Sequence, residues 1–187
     1  MSFFQPNARL KLYTKLSHYS LVFLSLISFK FNKGNSRTDL IKKFSALTRK
    51  KHCIPVPMGR VGIYLSVKAI INAGQEVILS PYTIADVVNM VVAAGGKPVF
   101  ADISENTRNM TPGNLKPLIN ENTGLVLVTH FYGELSDLSS IEEICKNANI
   151  PFIEDAAQAL GTIYDGKMGG TFGTCGVYSF GMYKNIT

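Results

Sequence analysis

Beyond residue 61 the chain alternates short apolar runs with stretches of helical periodicity. Ile63, Val67 and Ile70 are spaced for one buried face of a helix over 62–73, and Gly74 stops it. Residues 76–80 read as a short apolar strand, 85–94 as a buried helix closed by Gly95 and Gly96, and 98–101 as the next strand. A helix over 112–120 has Pro112 near its first turn, where a missing amide proton costs nothing. The run 124–129, GLVLVT, shows the near-continuous apolar pattern of a strand covered on both faces. A helix over 138–148, a strand over 150–154 that ends in an acid, and a last strand over 177–180 complete the series. Such alternation predicts an α/β fold: a three-layer, mainly parallel sheet with helices on both faces.

Upstream of residue 52 the pattern changes. Gly34 and Asn35 mark a loop, and Thr38 or Asp39 would cap a helix running through Lys50. The run 19–31, YSLVFLSLISFKF, is strongly apolar but falls short of the roughly 20 residues that a spanning helix needs. Arg9, Lys11 and Lys15 precede it as in a signal peptide, yet Lys30 and Lys33 follow where a small-residue cleavage site would stand. It reads as a buried or subunit-contact helix, with a peripheral membrane-surface anchor as the alternative. The chain thus divides into a basic N-terminal segment with helices, 1–51, and a larger domain, 52–187.

Charge sharpens that division. The formal net charge is +6, but residues 1–51 hold eleven Lys and Arg against one acid, Asp39, and the remainder is net negative. A segment this basic is a solvated face, or it meets an anionic membrane surface or the phosphates of a nucleotide. Nucleic acid is disfavoured, because no binding motif accompanies the charge. A hydrophobic content of 46% with 17% charged residues excludes a disordered chain. Cys53, Cys145 and Cys175, like His18, His52 and His130, are scattered without zinc or redox spacing. They imply reduced thiols in a cytoplasmic protein and no metal site.

Ligands of open α/β sheets collect at the carboxyl ends of the strands. Ser80, Asp102, His130, Asp155 and Ser179 fall there, and each alone is an ordinary loop residue or helix cap. The stretch 58–62, MGRVG, stands before a helix, where exposed amides and small glycines would suit a phosphate. Glu154 and Asp155 form an acid pair at the end of an apolar strand, costly to bury without a cationic or hydrogen-bonding partner. A protonated pyridine nitrogen would be such a partner for Asp155. Lys184, just past the last strand, would reach the same cavity and form a Schiff base with an aldehyde cofactor.

Five blocks in order, GRVGIYLSVKA, QEVILSPYTIADVVNMVVAAGGKPVFADI, THFYGELSDLSSI, PFIEDAAQALGTIYDGKMGG and VYSFGMYKNIT, carry a resemblance. From about residue 52 to Thr187 the chain resembles the DegT/DnrJ/StrS family of sugar aminotransferases, which depend on pyridoxal 5'-phosphate (PLP). The resemblance implies the large-domain architecture of fold-type I PLP-dependent transferases and a homodimer. It also implies transfer of an amino group from glutamate to a keto-sugar nucleotide in surface-polysaccharide or related sugar biosynthesis. On this reading Lys184 carries PLP and later shuttles a proton, Asp155 partners the pyridine nitrogen, and Gln158 lies near the phenolic oxygen. Ser179 and the helix start at Gly59, Arg60 and Val61 bind the phosphate. Ile84 falls where many members place an aromatic ring that stacks on PLP, so face-to-face stacking is given up. Family members that act as sugar dehydratases have histidine in place of Lys184, which argues against that activity. The chain covers about half of the family's length and lacks its C-terminal small domain, which leaves an inactive fragment or a non-catalytic member as the alternative.

Overall fold

A computed structural model describes residues 15–29, 34–181 and 184. Arg9, Lys11, Lys30, Phe31 and Lys33 of the basic segment, and Met182, Tyr183 and 185–187 of the last block, lie outside the described residues. The chain forms two compact units, Val56–Ser179 and a second made of Met1–Pro55 with Phe180–Thr187.

In the second unit, α1 (Leu16–Ser28) and α2 (Ser36–Thr48) are the two helices described. The apolar run does form a helix, but the expectation that it is buried is corrected. No described residue of α1 is buried, and Leu21, Val22 and Phe23 are each about 60% exposed. A run this apolar points side chains around the whole circumference, and no element described in its own unit covers them. No helix among the described residues is long and apolar enough to cross a membrane. In the same unit, the Phe180 ring meets Phe44 of α2 edge-on at 5.6 Å.

The larger unit runs α3 (Gly59–Ile70), β1 (Glu76–Leu79), α4 (Ala85–Ala93), β2 (Lys97–Phe100), α5 (Pro112–Leu115), β3 (Thr123–Thr129), α6 (Leu138–Asn147), β4 (Phe152–Asp155), β5 (Ile163–Tyr164), β6 (Lys167–Met168) and β7 (Cys175–Val177). The main sheet has the order β2-β1-β3-β4-β7, and every pairing in it is parallel. Helices cover both faces, as the alternation predicts. On one face Ile63 and Val67 of α3 and Val87 and Val91 of α4 pack on Leu79, Leu127 and Ile153. On the other, Leu115 of α5 and Leu138 and Ile141 of α6 pack on Ile78, Val126, Val128 and Phe152. Each such aliphatic side chain contributes about 1.5–3 kcal/mol on full burial.

Several boundaries differ from the sequence reading: α2 starts at Ser36 with Asn35 at its cap rather than Thr38 or Asp39 and ends at Thr48, and the last strand is Cys175–Val177 rather than 177–180. Three others have a clear local reason. Helix α3 starts at Gly59 rather than 62, with Met58 at the cap position, a residue whose side chain gives no capping signal. It also ends early. Ile71 turns extended, and the Asn72 N–H donates to Gln75 Oε1 at 2.7 Å before Gly74 is reached. The predicted helix over 112–120 is only one α turn, continued as a 3-10 turn over Lys116–Leu118, because Pro117 has no amide proton to give. The antiparallel hairpin β5–β6 has no counterpart in the sequence reading, since two-residue strands carry no periodicity.

Candidate active site

The pleat of β4 sends its two acids to opposite faces. Asp155 continues the face of Ile153, on the side of α3 and α4, and lies in register between Thr129 of β3 and Val177 of β7. It is buried, and its Oδ1 accepts a hydrogen bond from the Ala157 N–H at 3.1 Å.

Glu154 points the other way and is fully buried. Its Oε1 accepts from the N–H groups of Phe172 and Gly173 at 2.7 and 2.8 Å. Its Oε2 accepts from the Gly170 N–H at 2.7 Å and lies 3.0 Å from His130 Nε2. Burial pushes this carboxyl up. The His130 hydrogen bond and attraction, with the Gly173 and Gly170 amides, outweigh it and hold the group below the usual carboxylate range. Burial, helped by the Glu154 charge, pushes the Tyr178 phenol up. Glycine permits the close packing: a Cβ on Gly176 would lie 2.1 Å from the Gly170 carbonyl oxygen. Sequence reasoning placed His130 at a strand end as a possible ligand group; the structure buries it as the partner of Glu154.

The amino-terminal turn of α3 lies beside the segment that leaves β7. A Cβ on Gly59 would stand 3.9 Å from Ser179 Cβ. No side chain caps this helix, and the N–H groups of Gly59 and Arg60 precede its first intrahelical hydrogen bond. Because the helix begins at Gly59, all of Gly59, Arg60 and Val61 belong to that first turn. Gly62 lets the helix approach the sheet, with Val177 Cγ1 only 3.0 Å from where a Cβ would be. The Arg60 guanidinium pairs with Asp86 in the first turn of α4, so what Arg60 leaves free at the helix start is its amide. Ile84 stands at the cap of α4 and is 61% exposed.

Gln158 ties the segment after β4 to the turn after β3. Its Oε1 accepts from the Tyr132 N–H at 3.2 Å, at a residue held at a φ of 52°. Ser80 and Asp102 do not join this set. Their oxygens accept from the Tyr82 and Ile103 amides within their own loops. Lys184 belongs to the second unit, half-buried, with its N–H donating to the Gly181 carbonyl at 2.9 Å. A groove of about 640 Å³ lined by Pro112, Lys116, Ser140 and Ile144 shares no residue with the site, so concavity alone points away from the chemistry.

One sheet face therefore combines an uncapped helix start, a serine hydroxyl beside it and a buried carboxylate at a strand end. These donors and acceptors fit a ligand with an anionic group at one end and a protonated ring nitrogen at the other, which is the chemistry of PLP.

The chain is 36% identical over 146 residues to GDP-perosamine synthase of Vibrio cholerae, covering 78% of this chain and 40% of that protein. It is 35% identical over 156 residues to the spore coat polysaccharide biosynthesis protein SpsC of Bacillus subtilis, covering 83% and 40%. An aminotransferase structure from Psychrobacter cryohalolentis matches with a TM-score of 0.85 at 29% identity, over 93% of this chain and 45% of that one. A GDP-4-keto-6-deoxymannose-3-dehydratase with a trapped PLP-glutamate geminal diamine matches with a TM-score of 0.89 at 22% identity, over 97% and 49%, a likeness of fold. The chain thus spans less than half the length of these proteins. Matched by that family's pattern over residues 21–187, it belongs to the DegT/DnrJ/EryC1/StrS aminotransferase family.

Proposed function

We propose that the protein is a cytoplasmic PLP-dependent aminotransferase that moves an amino group from glutamate to a keto-sugar nucleotide for polysaccharide or related sugar biosynthesis. The observation that carries this reading is Asp155, a buried carboxylate on the face where the α3 start and Ser179 come together. Relatives named for perosamine synthesis and spore coat polysaccharide support a sugar substrate.

Bound there, PLP supplies an electron sink for the bonds at the reacting carbon. Asp155 keeps the ring nitrogen protonated by offering a fixed negative charge. The amides of Gly59 and Arg60 and the Ser179 hydroxyl would hold the phosphate, whereas the Val61 N–H, in the same turn, already donates to the Met58 carbonyl at 3.0 Å. Gln158 has its carbonyl engaged by Tyr132, which leaves its NH₂ as the donor for the ring's phenolic oxygen. Ile84 would offer the ring an apolar contact in place of aromatic stacking. Lys184 would be the residue that holds the cofactor's aldehyde end through its amine and, when that amine is free, would hold and return the proton of the substrate carbon. Lysine at this position, by the family's pattern, separates transamination from dehydration. Adding PLP to the chain should give the visible absorption of a lysine-bound cofactor, and Lys184→Ala should abolish it. Absence of the band from the unaltered chain would overturn the assignment.

The apolar circumference of α1 we assign to contact with a second copy of the chain. Sedimentation should find a dimer that is lost on removing residues 1–36. A monomer that floats with anionic vesicles would assign the helix, with its basic flanks, to a membrane surface instead.

A further inference from the structure

Thr129 ends β3 opposite Asp155 of β4. Residues in register on parallel strands point to the same face, so Thr129 stands beside the carboxylate on the face of α3 and α4. It is buried, and its Oγ1 has no hydrogen-bond partner among the described residues. A buried hydroxyl left in that state costs about 1–3 kcal/mol, and valine offers the same shape without the cost. Beneath it on the same face lie Leu127 and Ile153, whose side chains have nothing to donate or accept. Polar chemistry on this face begins at the strand ends, and Asp155 is one strand away, about 4.8 Å across.

We infer that Thr129 is a positioning residue for the ring-nitrogen end of the cofactor site, its hydroxyl donating to the Asp155 carboxylate, directly or through one water, when a protonated nitrogen docks there. The inference rests on Asp155 binding that nitrogen, as proposed above. A carboxylate has about four acceptor positions on its two oxygens. The Ala157 amide occupies one, a ring nitrogen takes a second, and Thr129 serves a further one from the neighbouring strand. Donation to the charged form keeps the acid ionised and fixes its rotamer, so the cost of the unpaired hydroxyl is recovered only in the loaded site.

The test compares Thr129→Val and Thr129→Ser with the unaltered chain, by PLP titration followed by absorbance and by thermal unfolding without PLP. The valine variant should bind PLP about ten-fold more weakly, yet unfold without cofactor at the same or a higher temperature. The serine variant, which restores the hydroxyl, should bind within about two-fold of the unaltered chain. Equal affinity of the valine variant and the unaltered chain overturns the role of Thr129 and leaves the Asp155 reading standing. So does a loss of cofactor-free stability that matches the loss in binding, because the hydroxyl then has a structural partner. Failure of the unaltered chain to bind PLP removes the Asp155 reading, and the role of Thr129 with it.

Discussion

Glu154 and Asp155 are neighbours on one strand, carry the same charge and are both buried, yet their surroundings differ in kind. Glu154 faces the α6 side, where three backbone amides and the His130 imidazole converge on its two oxygens. Asp155 faces the α3 side, where the neighbouring Thr129 hydroxyl finds no partner among the described residues and the helix start beyond carries no side-chain cap. One acid has both oxygens engaged by three amides and His130 Nε2, which fastens the 170–173 turn to β4, although His130 Nδ1 itself finds no partner among the described residues. The other accepts from the Ala157 amide and stands beside the Thr129 hydroxyl, on the face proposed above to hold the cofactor. Chemical type and burial alone do not separate the two acids; the face each one points to, and the groups set around it there, do.

Amide substitution at each acid is the strongest way to break that comparison. Glu154→Gln keeps the shape but turns one acceptor oxygen into an NH₂ that faces amide donors, inside a site closed to water. It should cost about 3–5 kcal/mol of folding stability, read from urea unfolding. Asp155→Asn retains an oxygen for the Ala157 amide and should cost less stability than Glu154→Gln. Its effect should fall on PLP affinity, lowered about 10–100-fold through loss of a charged hydrogen bond. If both variants lose stability alike, or if Glu154→Gln leaves stability unchanged, the division of labour between the faces is wrong.

The order of strands and helices in the larger unit was legible because long apolar runs such as 124–129 leave few other options. Asp155, Gln158 and Ser179 were legible as candidates because the local text around each is distinctive. The partners of Glu154 were not. Three of them are backbone amides 16–19 residues away, and an amide leaves no trace in side-chain chemistry. The unpaired Thr129 hydroxyl was hidden for a related reason: its meaning depends on the register of β3 against β4, which periodicity does not determine. The start of α3 was missed because Met58 gives no cap signal, although the earlier start places Gly59, Arg60 and Val61 in its first turn.

Acid titration sharpens the same comparison with a smaller effect. The folded Glu154 carboxyl lies below the ordinary glutamate value of 4.5, so its contribution to stability is fully present above pH 4.5. As pH falls below 4.5 and then through the folded value, the unfolded chain takes up its proton first, and that contribution is lost. The groups that face Glu154 are His130 and Tyr178, and the phenol, already pushed up, stays protonated throughout this window. Asp137, held low by its hydrogen bonds to Ser140 and Tyr164, loses stability in the same direction, so the unaltered chain alone does not isolate the clamp. The difference between the unaltered chain and Glu154→Gln does, because Asp137 is common to both. As pH falls below 4.5 that difference should shrink by at most about 1.4 kcal/mol per pH unit as Glu154 is protonated in the unfolded state. A difference that stays flat to pH 3 would mean that Glu154 is not held as an anion. The four hydrogen bonds would then be arranged around a neutral acid, and the contrast with Asp155 would rest on geometry without charge.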